Sequence, residues 1–152
     1  QAGFVKRDGS IVCTDGVNPL TFPLMVNHNL YAVVWHRNHL GILSGYPLTG
    51  NGAVYNYDFT TSADQVYGSF IAHKELAPGV WGMVGGDGNS NGMVNMEDKL
   101  DVWNMEVGNF GYMNGDFDLN GNVDNSDKIE VWNLNAGRGS QVVDSPNTGL
   151  EY

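Results

Sequence analysis

Residues 86–108 read GDGNSNGMVNMEDKLDVWNMEVG, and residues 115–137 read GDFDLNGNVDNSDKIEVWNLNAG. Laid over one another at an offset of 29, the two stretches are identical at 11 of 23 positions. The chain therefore contains an internal repeat. Counted from Asp87 and Asp116, the residues Asp, Asn, Gly, Val and Asp recur at loop positions 1, 5, 6, 8 and 12. A loop that wraps a calcium ion needs oxygen ligands at positions 1, 3, 5, 9 and 12, a carbonyl at 7 and a glycine at 6 for the sharp turn. The first copy offers Asp87, Asn89, Asn91, the Met93 carbonyl, Asn95 and Asp98. The second offers Asp116, Asp118, Asn120, the Asn122 carbonyl, Asp124 and Asp127. Turns rich in Asn and Gly have a similar composition without any metal, but two full ligand sets in register favour calcium. Two Ca²⁺ per chain are expected. The second site, with Asp116, Asp118, Asp124 and Asp127 against Asp87 and Asp98 alone, is expected to fill first.

Each loop runs into a short helix. Met96, Leu100, Trp103 and Val107 fall at helical spacing, and Ile129, Trp132 and Ala136 repeat the pattern. The spacing predicts a buried apolar stripe on each helix, with Trp103 and Trp132 in the core where the copies meet rather than as ligand platforms. Val94 and Val123, at position 8, are expected to face that core. Gly108 and Gly137 stand where a helix C-cap is expected.

The acid is concentrated in this half. The chain of 152 residues carries 17 Asp+Glu against 7 Lys+Arg, a net charge of −10. Twelve of the acids but only Lys99, Lys128 and Arg138 lie beyond residue 85. The composition break at Gly85–Gly86 predicts a domain boundary, giving units 1–85 and 86–138 and a tail, 139–152. Such a charge excludes nucleic acid as a natural partner. Nothing in the sequence is apolar enough to span a membrane. A single Cys, Cys13, excludes an internal disulfide framework and reads as a small buried thiol. The opening Gln1, with no signal-like stretch after it, suggests a processed or excised piece.

The first half reads as β structure. Phe4–Val5, a turn at Asp8-Gly9 and Ile11–Cys13 predict a hairpin. Leu30–His36, Leu40–Leu43, Val54–Phe59, Phe70–Leu76 and Val80–Val84 predict further short strands between Gly, Pro and Asn turns. That pattern points to an antiparallel β-sandwich, and the chain as a whole to an α+β fold.

With its paired 12-residue loops, each followed by one helix and with no entering helix, residues 86–137 resemble a type I dockerin. DxNxNGxVNxxD and DxDxNGxVDxxD carry the resemblance. It implies that calcium folds the module through an EF-hand-like loop. The resemblance also brings cohesin to mind as a partner. Here loop positions 10–11 hold Met96-Glu97 and Asn125-Ser126 in place of the usual Ser/Thr pair, and the early helix has Trp and Asn where a basic pair is common. A cohesin-like partner is therefore less expected than calcium binding. RDGSIVCTDGVNPLTF, LYAVVWHRNHLGILSG, YDFTTSADQVYG and LAPGVWGMVGGD resemble a segment near the C-termini of large secreted surface proteins of the Bacteroidetes type. There a prealbumin-like (Ig-like) β-sandwich directly precedes a dockerin-like pair of loops. That family commonly has Asp where this chain has Cys13.

Catalysis is not expected. Most carboxylates serve as candidate calcium ligands, which leaves no obvious pair for glycoside hydrolysis. Gly85-Gly86-Asp87-Gly88 lacks the Lys-Ser/Thr of a phosphate-binding loop. His36 and His39 form an HxxH, but residues three apart on a strand point to opposite faces, so the pair reads as a poor zinc chelate. The expected protein is a non-catalytic, calcium-stabilised module, secreted or at the cell surface, with a structural or protein-interaction role. Two alternatives stay open. One is a subunit of a self-assembling fibre, using the β-prone termini Phe4-Val5 and Gln141–Val143. The other is a carbohydrate-binding module presenting Trp35, Trp81 or tyrosines.

Overall fold

A computed structural model describes residues 1–6, 10–23, 25–50 and 54–142. The fold is mixed, with short antiparallel ladders followed by two short helical segments, and among the described residues no closed barrel forms. β1 (Phe4–Val5) pairs with β2 (Ile11–Val12) as the first hairpin. The Asp8-Gly9 turn expected between them lies outside the described residues. β3 (Val33–His36) pairs with β4 (His39–Leu43), in register Val33 to Leu43, Val34 to Ile42 and His36 to His39. β5 (Thr49–Gly50) pairs with β6 (Tyr55–Asn56), and a 3₁₀ turn follows at Ala63–Gln65. β7 (His73–Ala77) and β8 (Val80–Met83) form the fourth hairpin.

Most of these strands are shorter than the apolar runs that predict them, but β4 begins one residue earlier and β5 falls on no predicted run. Among the described residues they pair two by two. β4 joins the pieces. The Leu40 amide donates to the Val84 carbonyl at 2.8 Å, and the Tyr67 amide donates to the Leu43 carbonyl at 2.8 Å. Strand β4 thus has partners on both sides, and Leu40 and Ile42 are buried.

A single hydrophobic cluster crosses the composition break at Gly85–Gly86. Leu40, Ile42, Val66, Ala72 and Val84 come from the first half, and Val94, Trp103, Phe117, Val123 and Trp132 from the second. Val12, also buried, stands outside this cluster.

The repeat folds with local two-fold symmetry. Asp98–Trp103 and Asp127–Trp132 are π-helical and run on into single α-helical turns, α1 (Asn104–Glu106) and α2 (Asn133–Asn135). The Trp103 indole N–H donates to the Asp124 carbonyl of the other copy, and the Trp132 indole N–H to the Asn95 carbonyl, both at 2.9 Å. Beyond each helix the chain turns at Gly108 or Gly137, both with φ of 90°. The Gly108 amide then donates to the Val123 carbonyl and the Gly137 amide to the Val94 carbonyl, each at 2.8 Å. Each copy therefore completes the backbone of the other.

The apolar stripes need correction. Trp103 and Trp132 are buried as the spacing predicts, but Met96, Leu100, Val107, Ile129 and Ala136 are exposed. The π-helical winding advances side chains by less than the α-helical period assumed in the sequence reading. The inner face is completed instead by Asp98, Asp127 and Asn135 together with half-buried Val102 and Val131. Cys13 is half-buried rather than buried, and its thiol donates to the Pro19 carbonyl.

Candidate metal centre

The two loops have nearly the same internal hydrogen bonding, with the ligand-position side chains folded back on the backbone. In the first, Asp87 accepts from the Asn91 and Gly92 amides at 3.0 and 3.1 Å. Asn89 accepts from Asn91 at 3.1 Å, Asn91 from Met93 at 2.9 Å and Asn95 from Glu97 at 2.6 Å. Asp98 closes the loop, accepting from the Asn89 and Asn95 amides at 3.2 and 2.7 Å. In the second loop Asp116 accepts from the Gly121 amide, Asp118 from Asn120 and Asn120 from Asn122. Asp124 accepts from Ser126, and Asp127 from Asp118 and Asp124 at 3.0 and 2.8 Å. Gly92 and Gly121, at position 6, have φ of 83° and 87°, which a side chain would strain. Val94 and Val123 face inward and are buried. Met93 and Asn122 at position 7 lie in short backbone bridges, to Gly139 and to Phe110.

Carboxylate oxygens of Asp116, Asp118 and Asp127 lie within 4.8 Å of one another, a cluster that can hold a metal ion. The first loop gathers two carboxylates, Asp87 and Asp98, with three amides. Burial, with Asp98 beside it, pushes the pKa of Asp87 up to about 6. Burial likewise raises Asp98 and Asp127. Exposed Asp124 is lowered instead, because the Ser126 amide and hydroxyl both donate to it. The buried carboxylates resist ionisation where they stand, and a divalent cation reverses that preference.

The turn of the β3–β4 hairpin is wedged between the loops, an arrangement the sequence reading passed over. Arg37 donates to the Met113 carbonyl at 2.9 Å and pairs with Asp116 at 3.0 Å, while its guanidinium covers the Tyr112 ring at 3.9 Å. The Asn38 amide donates to the Asp116 and Asn114 carbonyls at 2.6 and 3.2 Å. On the other side the Ser90 hydroxyl donates to the Arg37 carbonyl, and the Gly86 amide to the Asn38 carbonyl. Arg-Asn is not one of the dipeptides that announce a two-residue hairpin turn, so the sequence carried no usable signal for it. Because Arg37 neutralises one of the four carboxylates of the second loop, the advantage of that loop over the first narrows from two charges to one.

The same turn corrects the geometry expected of HxxH. His36 and His39 face each other across the hairpin, and their Nδ1 atoms are 3.0 Å apart. Burial, then His36, Arg37 and Lys74, hold the pKa of His39 down to about 3, and burial also lowers His36. An unfolded histidine protonates near 6.5. Below that pH the unfolded chain takes a proton that folded His39 refuses, so the contribution is intact above 6.5 and lost progressively toward 3. With excess calcium present to hold the loop carboxylates ionised, His39 is expected to remove about 2 kcal/mol of stability between pH 6.5 and 5. Urea unfolding at each pH measures this, and His39→Gln should flatten the slope. Of the other histidines, His73 is buried with its ring 5.5 Å from Trp81, and His28 is exposed.

No protein family, curated protein or solved structure matches the chain. Among the described residues no helix is long and apolar enough to cross a membrane.

Proposed function

We propose that this chain is a non-catalytic, calcium-binding structural or interaction module that works outside the cell or at its surface, with one Ca²⁺ in each loop. One observation carries the reading. Asp87, Asp98, Asp116 and Asp127, at positions 1 and 12, are only 3%, 0%, 2% and 0% exposed. Among the described residues the one ion pair is Arg37 with Asp116. Buried carboxylates of this number need a counter-charge. Oxygen donors alone, at the spacing of a calcium loop, make Ca²⁺ the natural one.

In this reading residues 86–138 form a dockerin-like unit, and the preceding strands belong to a sandwich of the prealbumin type. An interaction role is favoured by the exposed apolar side chains that the helices and loops present, among them Met93, Met96, Leu100, Leu119 and Ile129. Of the aromatic platforms a carbohydrate-binding module would present, Trp81 is packed against Phe70 and His73, while Trp35 and tyrosines such as Tyr46 and Tyr67 stay exposed. For the fibre alternative, the N-terminal Phe4–Val5 is paired with β2 in its own chain. Ser140 donates to the Gly41 carbonyl of its own chain, and Val143 and the rest of the tail to Tyr152 lie outside the described residues.

Terbium, a luminescent calcium substitute excited by nearby indoles, separates the two sites. Asp127→Asn is expected to abolish the tighter binding phase and Asp98→Asn the weaker one. If either variant leaves both phases unchanged, that loop is not a metal site.

A further inference from the structure

We propose that His36 and His39 form a separate site for a first-row transition ion, Zn²⁺ or Cu²⁺, unlike in kind to the oxygen-lined loops. The hairpin register puts both imidazoles on one side of the turn, with planes at 81° and centroids 4.8 Å apart. Two nitrogens 3.0 Å apart can both bond one ion at the usual Zn–N length of about 2.0–2.1 Å, subtending roughly a right angle. Opening that angle to the tetrahedral value requires a shift of only a few tenths of an ångström.

A third donor is already aimed at the pair. The Asn38 Oδ1 lies 2.8 Å from the His39 Nδ1. Its orientation is fixed because the amide N–H groups of Asn38 are used by the Asn114 and Asp116 carbonyls. The two rings flank a cavity of about 10 Å³ whose wall includes Trp35, Asp87 and Ser90. That is room for one water-sized occupant.

The Asn38 Oδ1 can only accept, so His39 Nδ1 carries the proton and the facing His36 Nδ1 accepts. A metal ion takes the place of that proton, which leaves to solvent. Imidazole nitrogens favour Zn²⁺ and Cu²⁺ over Ca²⁺, so this site and the loops sort ions by chemistry. Its donors, His36, His39 and Asn38, are none of the loop ligands.

The test is a Zn²⁺ titration of the full chain in saturating Ca²⁺, which keeps the loops and the hairpin tied to them in place. One Zn²⁺ per chain is expected, with His36→Gln weakening it at least about tenfold. In the unaltered protein, imidazole ¹⁵N resonances supply a readout that needs no variant. Zn²⁺ should shift His36 and His39 and leave His28 and His73 in place. Three results would overturn the site: no Zn²⁺ bound, Zn²⁺ displaced by Ca²⁺, or shifts confined to His28.

Discussion

Chelation with EDTA is expected to lower the melting temperature by at least about 15 °C and to erase most of the helical circular dichroism. At a thousandfold excess over Kd each bound ion contributes about 4 kcal/mol, and in a chain of this size each kcal/mol moves the midpoint by roughly 2–4 °C. Without cations the buried carboxylates of both loops repel one another, and each copy loses the partner that completes its backbone. The damage should also reach the β half. Arg37 and Asn38 tie the β3–β4 hairpin to both loops, and the hydrophobic cluster is continuous across Gly85–Gly86. Amide exchange should therefore rise at Leu40 and Ile42 as well as at Val94 and Val123. A melting curve indifferent to EDTA would contradict the account.

The second large effect belongs to the tryptophans. Trp132→Ala is expected to cost about 3–5 kcal/mol by removing a buried ring from the shared core. It also orphans the Asn95 carbonyl in the opposite loop. Trp132→Phe keeps most of the burial and loses the hydrogen bond, at about 1 kcal/mol. Because the bond runs to the other copy, either change should weaken metal binding at the first loop more than at the second. Trp103, bonded to the Asp124 carbonyl, should show the mirror-image result. Urea unfolding gives the stability, and terbium luminescence gives the site affected.

The sequence made the repeat legible because ligand chemistry fixes residue type at fixed loop positions, and the duplication put each position on view twice. The burial of Val94, Val123, Trp103 and Trp132 was readable for the same reason. The helix faces were not, because π-helical winding changes which side chains turn inward, and exposed Met96 and Leu100 are indistinguishable in type from core residues. Strand positions were visible as apolar runs, but pairing depends on contacts far apart in sequence. The contact between Arg37 and Asp116 spans 79 residues, and no local pattern encodes it. The facing histidines were missed because the HxxH was judged by the geometry of one strand. His36 ends one predicted strand and the next begins at Leu40, so the two rings meet across the turn.

The most direct test of the central claim is the stoichiometry of calcium binding to the full chain by titration calorimetry after exhaustive removal of divalent ions. Two Ca²⁺ per chain are expected, with the event lost in Asp127→Asn tighter than the one lost in Asp98→Asn. Binding of one ion or none would contradict it.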